Sequence, residues 1–374
     1  MDTEQPLTLL GGLTPAQFMK RHWHKKPLLV RQAIPGFQPC VGRSELVAMA
    51  AQEEVESRLI VHGAKGWSMK RGPLTRRSLP PFSQKNWTFL VQGVDLHHEG
   101  VHQLMQQFRF VPDARLDDLM ISYASDGGGV GPHFDSYDVF LLQAHGRRRW
   151  RIGRQKDLSL QPGVPLKILQ NFEPEQEWVL EPGDMLYLPP KYAHDGVAVG
   201  ECMTWSFGFR SPGEGELARD LLQGLADEAL DRVGEAVYRD PQQAAVATPA
   251  AIPEALLDFA RHALRKAQDD PELLALLLGE YLTEPKPQVW FEAHEGAKLR
   301  AGQGVALDRR SRMMYDARHI FINGEGFRVG GRDARWLRRL ADERQLPAQA
   351  VAVLSQDARQ ALSEWLCNGW LQSV

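Results

Sequence analysis

The first half of the chain alternates short apolar stretches with turns rich in glycine and proline. Its apolar or alternating runs include Ser57 to Val61, Trp87 to Gln92, Leu119 to Tyr123, Val139 to Gln143, Arg148 to Ile152, Met185 to Leu188 and Met203 to Phe209. Many short strands separated by turns are typical of a β-sandwich or a β-barrel. A helix is predicted to begin at Thr14-Pro15, where a capping residue precedes a proline, and a second helix is predicted to follow Ser44.

The pattern changes to a helical period after about residue 212. Apolar residues recur three and four positions apart at Leu217, Leu221, Leu222 and Leu225, and again at Leu256, Phe259, Ala260, Ala263 and Leu264. A loop is predicted between these two helices, from Pro241 to Pro253, and the run Leu273 to Leu278 is almost entirely apolar. Helices with this much leucine either pack on the first domain or form an interface with a partner. We favour a homodimer.

The sequence pattern changes again after the proline-rich segment Thr283-Glu284-Pro285-Lys286-Pro287. We interpret this segment as a linker, because paired prolines interrupt a helix. Beyond it, Ile320 to Gly324 ends in a hairpin signal, and helices are predicted near 334–344 and 356–370. This order fits a small winged-helix-like domain. The predicted division is therefore 1–211, 212–282 and 289–374.

Charge, cysteine content and the length of apolar runs argue against several classes of protein. The formal net charge of the 374 residues is −3, and the C-terminal part has only a slight excess of basic residues, so the sequence gives no strong case for nucleic-acid binding, although a local basic patch stays open. The three cysteines, Cys40, Cys202 and Cys367, form no disulfide framework or zinc motif. The chain has no evident signal peptide and no apolar run of about 18 residues. We therefore expect no membrane span and a cytoplasmic protein.

The stretch Gly127 to Asp135 reads GGGVGPHFD and carries the first candidate metal ligands. In an extended segment, residues two apart point to the same side, so His133 and Asp135 project together. An imidazole nitrogen and a carboxylate oxygen can then share one metal ion. By itself this pair is weak, since a His-x-Asp on a surface also arises by chance.

A second stretch supplies the third ligand. Glu181 to Pro190 reads as a turn followed by a short apolar strand that two prolines end, and His194 comes just beyond. In a rolled-up sheet this places His194 at the barrel mouth near His133. Two histidines and one carboxylate form the facial triad of non-haem iron oxygenases, and the triad leaves coordination positions open for a 2-oxo acid and dioxygen.

The strand Arg147 to Ile152 indicates which 2-oxo acid binds at the metal. With a period of two, Arg147, Arg149 and Arg151 share the solvated face, and Arg148 lies on the inward face. A buried arginine needs an anionic partner, because an unpaired buried charge is very unfavourable. The far carboxylate of 2-oxoglutarate fits a two-pronged arginine contact. A salt bridge to a protein carboxylate is the structural alternative.

These motifs resemble the JmjC class of 2-oxoglutarate oxygenases, in which a basic 2-oxoglutarate ligand follows the first iron ligand by about the interval between His133 and Arg148. The stretches 127–138, 146–153 and 183–194, and the early string Trp23 to Val30, are similar to those of the bacterial ribosomal oxygenases. The likeness covers nearly the whole chain. It implies a mainly β, double-stranded β-helix (cupin or JmjC jelly-roll) core with a helical dimerisation region and a C-terminal winged helix.

The resemblance also implies an activity. His133, Asp135 and His194 match the Fe(II) ligands, Arg148 matches the 2-oxoglutarate clamp, and Ser122 matches a hydroxyl that helps to hold 2-oxoglutarate. The implied reaction is hydroxylation of an arginine β-carbon in the large-subunit ribosomal protein numbered sixteen. A cationic substrate favours a carboxylate and an aromatic wall near the iron, so Tyr137 and Asp138 are candidate substrate contacts. Strand packing for the tyrosine and a turn or salt bridge for the aspartate are the alternatives.

Other functions stay open on the sequence alone. An oxygenase of the same class would hydroxylate histidine or asparagine, or demethylate lysine. A cupin with a structural metal would have no turnover, and a winged-helix regulator with a vestigial oxygenase domain would bind DNA. The competing pair His97-His98-Glu99 has no arginine-bearing strand after it, and we interpret it as a surface turn.

Overall fold

The computed structural model describes residues 2–374, which form two compact units: the first ends at Ser211, and the second runs from Pro212 to Val374. Each unit encloses its own cluster of buried apolar side chains. Within residues 2–374, no helix is both long enough and apolar enough to cross a membrane.

The first unit is built on one antiparallel sheet, to which nine strands of the described chain belong. They are β1 (Leu28–Val30), β2 (Ser57–Gly63), β3 (Gly66–Arg71), β4 (Trp87–Val91), β5 (Leu116–Ala124), β6 (Val139–Gly153), β7 (Gln176–Leu180), β8 (Met185–Leu188) and β9 (Ala193–Phe209). The order across the sheet is β1-β8-β6-β9-β5-β4-β2-β3, and β7 pairs with β6. Strands distant in sequence are thus neighbours in the sheet, as the predicted jelly-roll core requires.

Strands β6 and β9 are the longest, at 15 and 17 residues, and they pair along most of their length. Their register shifts twice between Gln143 and Arg147. A β-bulge adds a residue to one strand and redirects the side chains beyond it. Before the shifts the odd-numbered Leu141 lines a cavity in the first unit, and after them the even-numbered Arg148 lines the same cavity, while Arg149 is exposed. The bulged segment therefore decides that Arg148 points inward.

Four helices accompany the sheet: α1 (Pro15–Arg21), α2 (Arg43–Ala50), α3 (Val94–His97) and α4 (Glu99–Met105). The predicted start of α1 is confirmed, because the Thr14 hydroxyl accepts from the Gln17 amide at 3.1 Å and the Gln17 side chain accepts from the Thr14 amide at 3.3 Å. This reciprocal cap satisfies two amides that the helix itself leaves unpaired. Helix α2 begins at Arg43, one residue before Ser44, and has no side-chain cap.

The second unit opens with four helices, α5 (Glu214–Asp227), α6 (Ala229–Val233), α7 (Glu254–Gln268) and α8 (Pro271–Thr283). Their helical spacing is as predicted, and the predicted loop lies between α6 and α7. None of the residues of α5, α6 or α7 is buried. Leu222, Leu230 and Leu264 are 53%, 78% and 64% exposed, which leaves an apolar surface without cover in the single chain.

The rest of the second unit combines two three-stranded sheets with three helices. The elements are β10 (Val305–Leu307), β11 (Met313–Tyr315), β12 (His319–Ile322), β13 (Glu325–Arg328), α9 (Gly331–Glu343), β14 (Gln345–Leu346), α10 (Ala348–Ala352), α11 (Gln356–Cys367) and β15 (Leu371–Ser373). The predicted hairpin is present, with Asn323 and Gly324 both at positive φ between β12 and β13. Helix α8 packs on this hairpin at Gly279, where a Cβ atom would lie 2.3 Å from the Phe321 ring.

Candidate metal centre and its cavity

Three predicted ligands meet at one end of the long strands. The side chains of His133, Asp135 and His194 offer ligand atoms that all lie within 4.8 Å of one another. The backbones of His133 and His194 form a two-way bridge, with N–H···O distances of 3.0 and 2.8 Å. Because this bridge fixes the two residues opposite each other, their rings lie 4.2 Å apart between centroids. Among residues 2–374, no other three histidine, cysteine or acidic side chains meet in this way.

Backbone carbonyls orient both imidazoles. His133 Nδ1 lies 2.9 Å from the Gly131 carbonyl oxygen, and His194 Nδ1 lies 3.0 Å from that of Tyr192. A carbonyl only accepts, so each Nδ1 carries the proton and each Nε2 keeps its lone pair for a metal. Burial, reinforced by the neighbouring His133, lowers the pKa of His194 to about 4, so its ring is neutral at pH 7.

The glycine run before His133 passes very close to neighbouring backbone. A Cβ atom at Gly128 would lie 2.2 Å from the Trp87 carbonyl oxygen, and one at Gly129 would lie 2.5 Å from that of Gly196. Only glycine allows this approach. The run is therefore a packed connection that positions His133, and not merely a flexible turn.

Arg148 and Ser122 lie together in the same cavity. Arg148 is 5% exposed, and its Nη1 donates to the Ser122 hydroxyl at 3.3 Å. Its Nε has no hydrogen-bond partner, and no carboxylate within the described residues forms an ion pair with it. Within the described residues, Arg148 therefore does not form the salt bridge to a protein carboxylate that was the structural alternative. A buried guanidinium without an anion is strongly unfavourable, and the anionic end of a 2-oxo acid would supply the missing charge.

The cavity has a volume of about 420 Å³. Its walls include the three candidate ligands and, around them, Arg58, Ile60, Thr88, Leu90, Gln92, Asp117, Asp118, Met120, Ser122, Val130, Phe134, Tyr137, Val139, Leu141, Arg148, Trp150, Leu166, Lys167, Gly196, Ser206 and Gly208. The three candidate ligands, Arg148 and Ser122 therefore share one cavity. The donor set and the unpaired Arg148 fit a metal ion with a bound 2-oxo acid.

Tyr137 lines this cavity and Asp138 does not. Tyr137 is 38% exposed; desolvation on its cavity side, together with the charges of Asp135, Asp118 and Asp117, raises its pKa, and the charge of Arg58 opposes this. Asp138 is fully buried elsewhere: its carboxylate accepts from the Tyr187 hydroxyl at 2.5 Å and lies 2.9 Å from His24 Nε2. The prediction that Asp138 contacts substrate is corrected, because the chain turns between Asp135 and β6 and directs Asp138 into the protein.

Sequence reasoning missed Asp118 and Met120, which lie on the cavity wall. Both are on β5, where Met120 is two and Asp118 four residues before Ser122, and both line the same cavity as Ser122. Extending the alternation back from Ser122 would have found them. The rival pair beside Glu99 has a structural role instead, since His98 Nδ1 accepts from the Val101 amide and caps α4.

Two family models match the chain. One, described as a JmjC domain, matches residues 103–217, and the other, described as a ROXA-like winged helix, matches residues 265–372. The first match contains all three candidate ligands with Ser122 and Arg148. The second contains α8 and the C-terminal sheets and helices. Fold and site thus define a JmjC-type oxygenase with a winged-helix extension.

Known proteins are similar over most of the length. The ribosomal protein uL16 3-hydroxylase of Escherichia coli is 38% identical over 274 residues, 73% of this chain and 72% of that protein. An X-ray structure of E. coli YcfD matches with a TM-score of 0.82 and 31% identity, covering 96% of this chain and 98% of that one. The structure of YcfD in complex with cobalt and 2-oxoglutarate matches with a TM-score of 0.80 and 31% identity, over 96% and 97% of the two chains. The chain belongs to the JmjC-domain ribosomal oxygenases.

Proposed function

We propose that His133, Asp135 and His194 hold Fe(II), that Arg148 and Ser122 bind the far carboxylate of 2-oxoglutarate, and that the enzyme hydroxylates an arginine β-carbon of ribosomal protein uL16. The observation that carries this proposal is the buried, unpaired Arg148 in the same cavity as a three-donor cluster. The similarity to the uL16 3-hydroxylase of E. coli supports the choice of substrate.

When bound, Fe(II), 2-oxoglutarate and dioxygen supply the chemistry that inserts one oxygen atom into a C–H bond while 2-oxoglutarate becomes succinate and carbon dioxide. The chain supplies position and environment. His133 and His194 present the Nε2 atoms of rings held by backbone carbonyls, and Asp135 contributes a carboxylate oxygen. The apolar wall formed by Val139, Leu141 and Trp150 excludes water from the reacting groups.

The opposite wall fits a cationic side chain. The Asp118 carboxylate accepts from the Gly93 amide at 2.9 Å and from Gln92 Nε2 at 3.3 Å, which holds it in place at the cavity. Asp117 and Tyr137 line the same region. Carboxylates bind a guanidinium through charge-assisted hydrogen bonds, and an aromatic ring adds a cation–π contact. Asp118 and Tyr137 would thus orient the substrate arginine.

The test is mass spectrometry of a uL16 fragment incubated with the full-length enzyme, Fe(II) and 2-oxoglutarate. We expect one oxygen atom to be added at an arginine, and fragment ions assign it to the β-carbon. Asp118→Asn should reduce kcat/KM about 30-fold or more, since a charge-assisted contact is worth about 2 kcal/mol or more. The control, Asp157→Asn, lies in an exposed loop and should change little. An oxidised histidine beside unmodified arginine would overturn the substrate assignment.

We also propose that residues 212–282 form the interface of a homodimer, within the three-part division 1–211, 212–282 and 289–374. The exposed leucines of α5 to α7 support this, because amphipathic helices are stabilised mainly by burying their apolar face. Light scattering should give twice the chain mass, and Leu264→Arg should give monomer. Leu158→Arg is the control, since Leu158 is exposed in the first unit. A monomeric wild-type protein would refute the interface.

The cytoplasm is the proposed location, since a ribosomal protein substrate is supported by the E. coli relative and no helix within residues 2–374 fits a membrane span. Fractionation of cells that express the protein, followed by immunoblotting, tests this.

A further inference from the structure

A segment at the sheet edge carries charge of a single sign. Residues 57–87 contain seven lysine and arginine residues and no aspartate or glutamate, in a chain whose net charge is −3. The segment comprises β2, β3 and the connection to β4, and β3 is the outermost strand of the nine-stranded sheet. We name as the basic edge four exposed residues of this segment: Lys65, Lys70, Arg71 and Arg77.

The basic edge has no acidic counterpart within the described residues. Its four members form no ion pair with a carboxylate. Two other cations of the segment are paired, Lys85 with Asp126 at 2.8 Å and Arg58 with Glu56 at 3.8 Å. Surface cations in proteins commonly have neighbours of opposite sign, and a patch without them attracts polyanions.

One member of the basic edge, Arg71, continues the wall of the active-site cavity, and Lys70 beside it points to the other face of the strand. In the β2–β3 pairing, Arg71 is opposite Arg58 and Met69 is opposite Ile60. Arg58 and Ile60 line the cavity, and cross-strand partners share one face of a sheet. Arg71 and Met69 therefore extend the same face outward.

An aromatic pair lies on the same face as Arg71. Trp67 is opposite His62 in the same hairpin, and their rings are stacked, with centroids 4.2 Å apart and planes 10° apart. His62 is exposed and Trp67 is half-buried. Unpaired cations next to a partly open aromatic platform form the combination that binds single-stranded nucleic acid, through phosphates and base stacking respectively.

We propose that the basic edge binds the phosphate backbone of RNA, so that the oxygenase engages its ribosomal protein together with the RNA to which that protein is bound. The second clause rests on the proposed function, whereas RNA binding does not. A polypeptide strand added to the free edge of β3 would need no such excess of charge, so the unpaired cations favour RNA.

The experiment is fluorescence anisotropy of a labelled single-stranded RNA of twenty nucleotides, titrated with the full-length protein at several salt concentrations. We expect the affinity to fall with salt, by a slope of about 0.7 in log–log form for each phosphate contacted. Lys70→Glu/Arg71→Glu should weaken binding at least tenfold at about 100 mM salt and reduce the slope. Lys298→Glu/Arg300→Glu is the matched control, because it changes the charge equally at exposed positions of the second unit.

Two further measurements, the thermal midpoint and the hydroxylation of a free uL16 peptide, distinguish a loss of RNA binding from unfolding or damage to the active site. The Lys70/Arg71 variant should match wild type in both, which excludes unfolding and damage to the active site. Three results would overturn the proposal: equal RNA binding by variant and control, preference for a DNA strand of the same length by tenfold or more, or weakened binding of the peptide and not of RNA. If no peptide is hydroxylated but RNA binding follows the expected pattern, the proposed function fails and the RNA site stands.

Discussion

Arg148→Met separates a ligand-binding role from a structural one, because the two roles predict opposite changes in stability. Arg148 is 5% exposed, has one hydrogen bond, to Ser122, and has no carboxylate partner in the described chain. Methionine has a similar length and removes the charge. In the protein without 2-oxoglutarate, the change loses one hydrogen bond, worth about 1 kcal/mol, and relieves a buried unpaired charge. The thermal midpoint of that form should therefore stay level or rise.

The affinity for 2-oxoglutarate should fall steeply. A two-pronged contact with a carboxylate contains two charge-assisted hydrogen bonds at about 1.5–3 kcal/mol each. Their loss corresponds to an increase in Kd of roughly two to four orders of magnitude, with about 1.4 kcal/mol for each factor of ten.

Calorimetric titration of 2-oxoglutarate into the Mn(II)-loaded protein measures the affinity, and thermal unfolding of the metal-free protein measures the stability. Arg149→Met is the matched control, since Arg149 is the exposed neighbour on the same strand. A structural salt bridge would instead cost about 3–5 kcal/mol of stability when broken. The reasoning is refuted if Arg148→Met lowers the midpoint sharply and leaves the Kd within threefold of wild type.

Three further outcomes follow from the site. His194→Ala should abolish the Mn(II) binding seen by calorimetry, whereas His98→Ala should not; retained binding in the first variant would contradict the ligand assignment. The lowered pKa of His194, about 4 against 6.5 in the unfolded chain, means that the unfolded chain binds more protons between these values. The free energy of unfolding of the metal-free protein should therefore fall as the pH drops from 6.5 to 4, by at most about 3 kcal/mol from this group. Urea titrations at several pH values measure this free energy, and its dependence on pH should be weaker in His194→Gln. Gly128→Ala should cost about 1–3 kcal/mol through its clash with the Trp87 carbonyl, and Gly63→Ala, with open space around it, should be neutral by thermal unfolding; equal midpoints would contradict the close approach.

The fold and much of the cavity follow from local pattern. The alternation in β6 predicts an inward Arg148 between two solvated arginines, and the structure has that arrangement. The i, i+2 spacing predicts that His133 and Asp135 point together, and they do. Such rules work where a strand is regular, because side-chain direction then depends only on residue parity.

Irregular backbone limits the same reasoning. Asp138 lies beyond a turn, so the alternation of side chains that starts at Asp135 does not predict its direction. Its carboxylate contacts Tyr187. Leu166 and Lys167 reach the cavity from a loop without periodicity. The net charge of the chain does not reveal the basic edge. Residues 212–288 contain fifteen acidic and seven basic residues, and this acidic excess offsets the positive charge of residues 57–87. Charge has to be considered segment by segment before it excludes a partner.

The bridge between His133 and His194 has a consequence for the order of events in folding. The two residues are about sixty positions apart, and the bridge between them continues the pairing of β6 with β9, in which His194 is opposite Ile152. Contacts between distant parts of a chain form slowly, because loop closure must come first. On the proposed ligand assignment, a nascent polypeptide therefore has at most two adjacent ligands, His133 and Asp135, until the second half of the jelly roll has been synthesised. Metal uptake is in this way a late step, and it selects chains whose barrel has already closed.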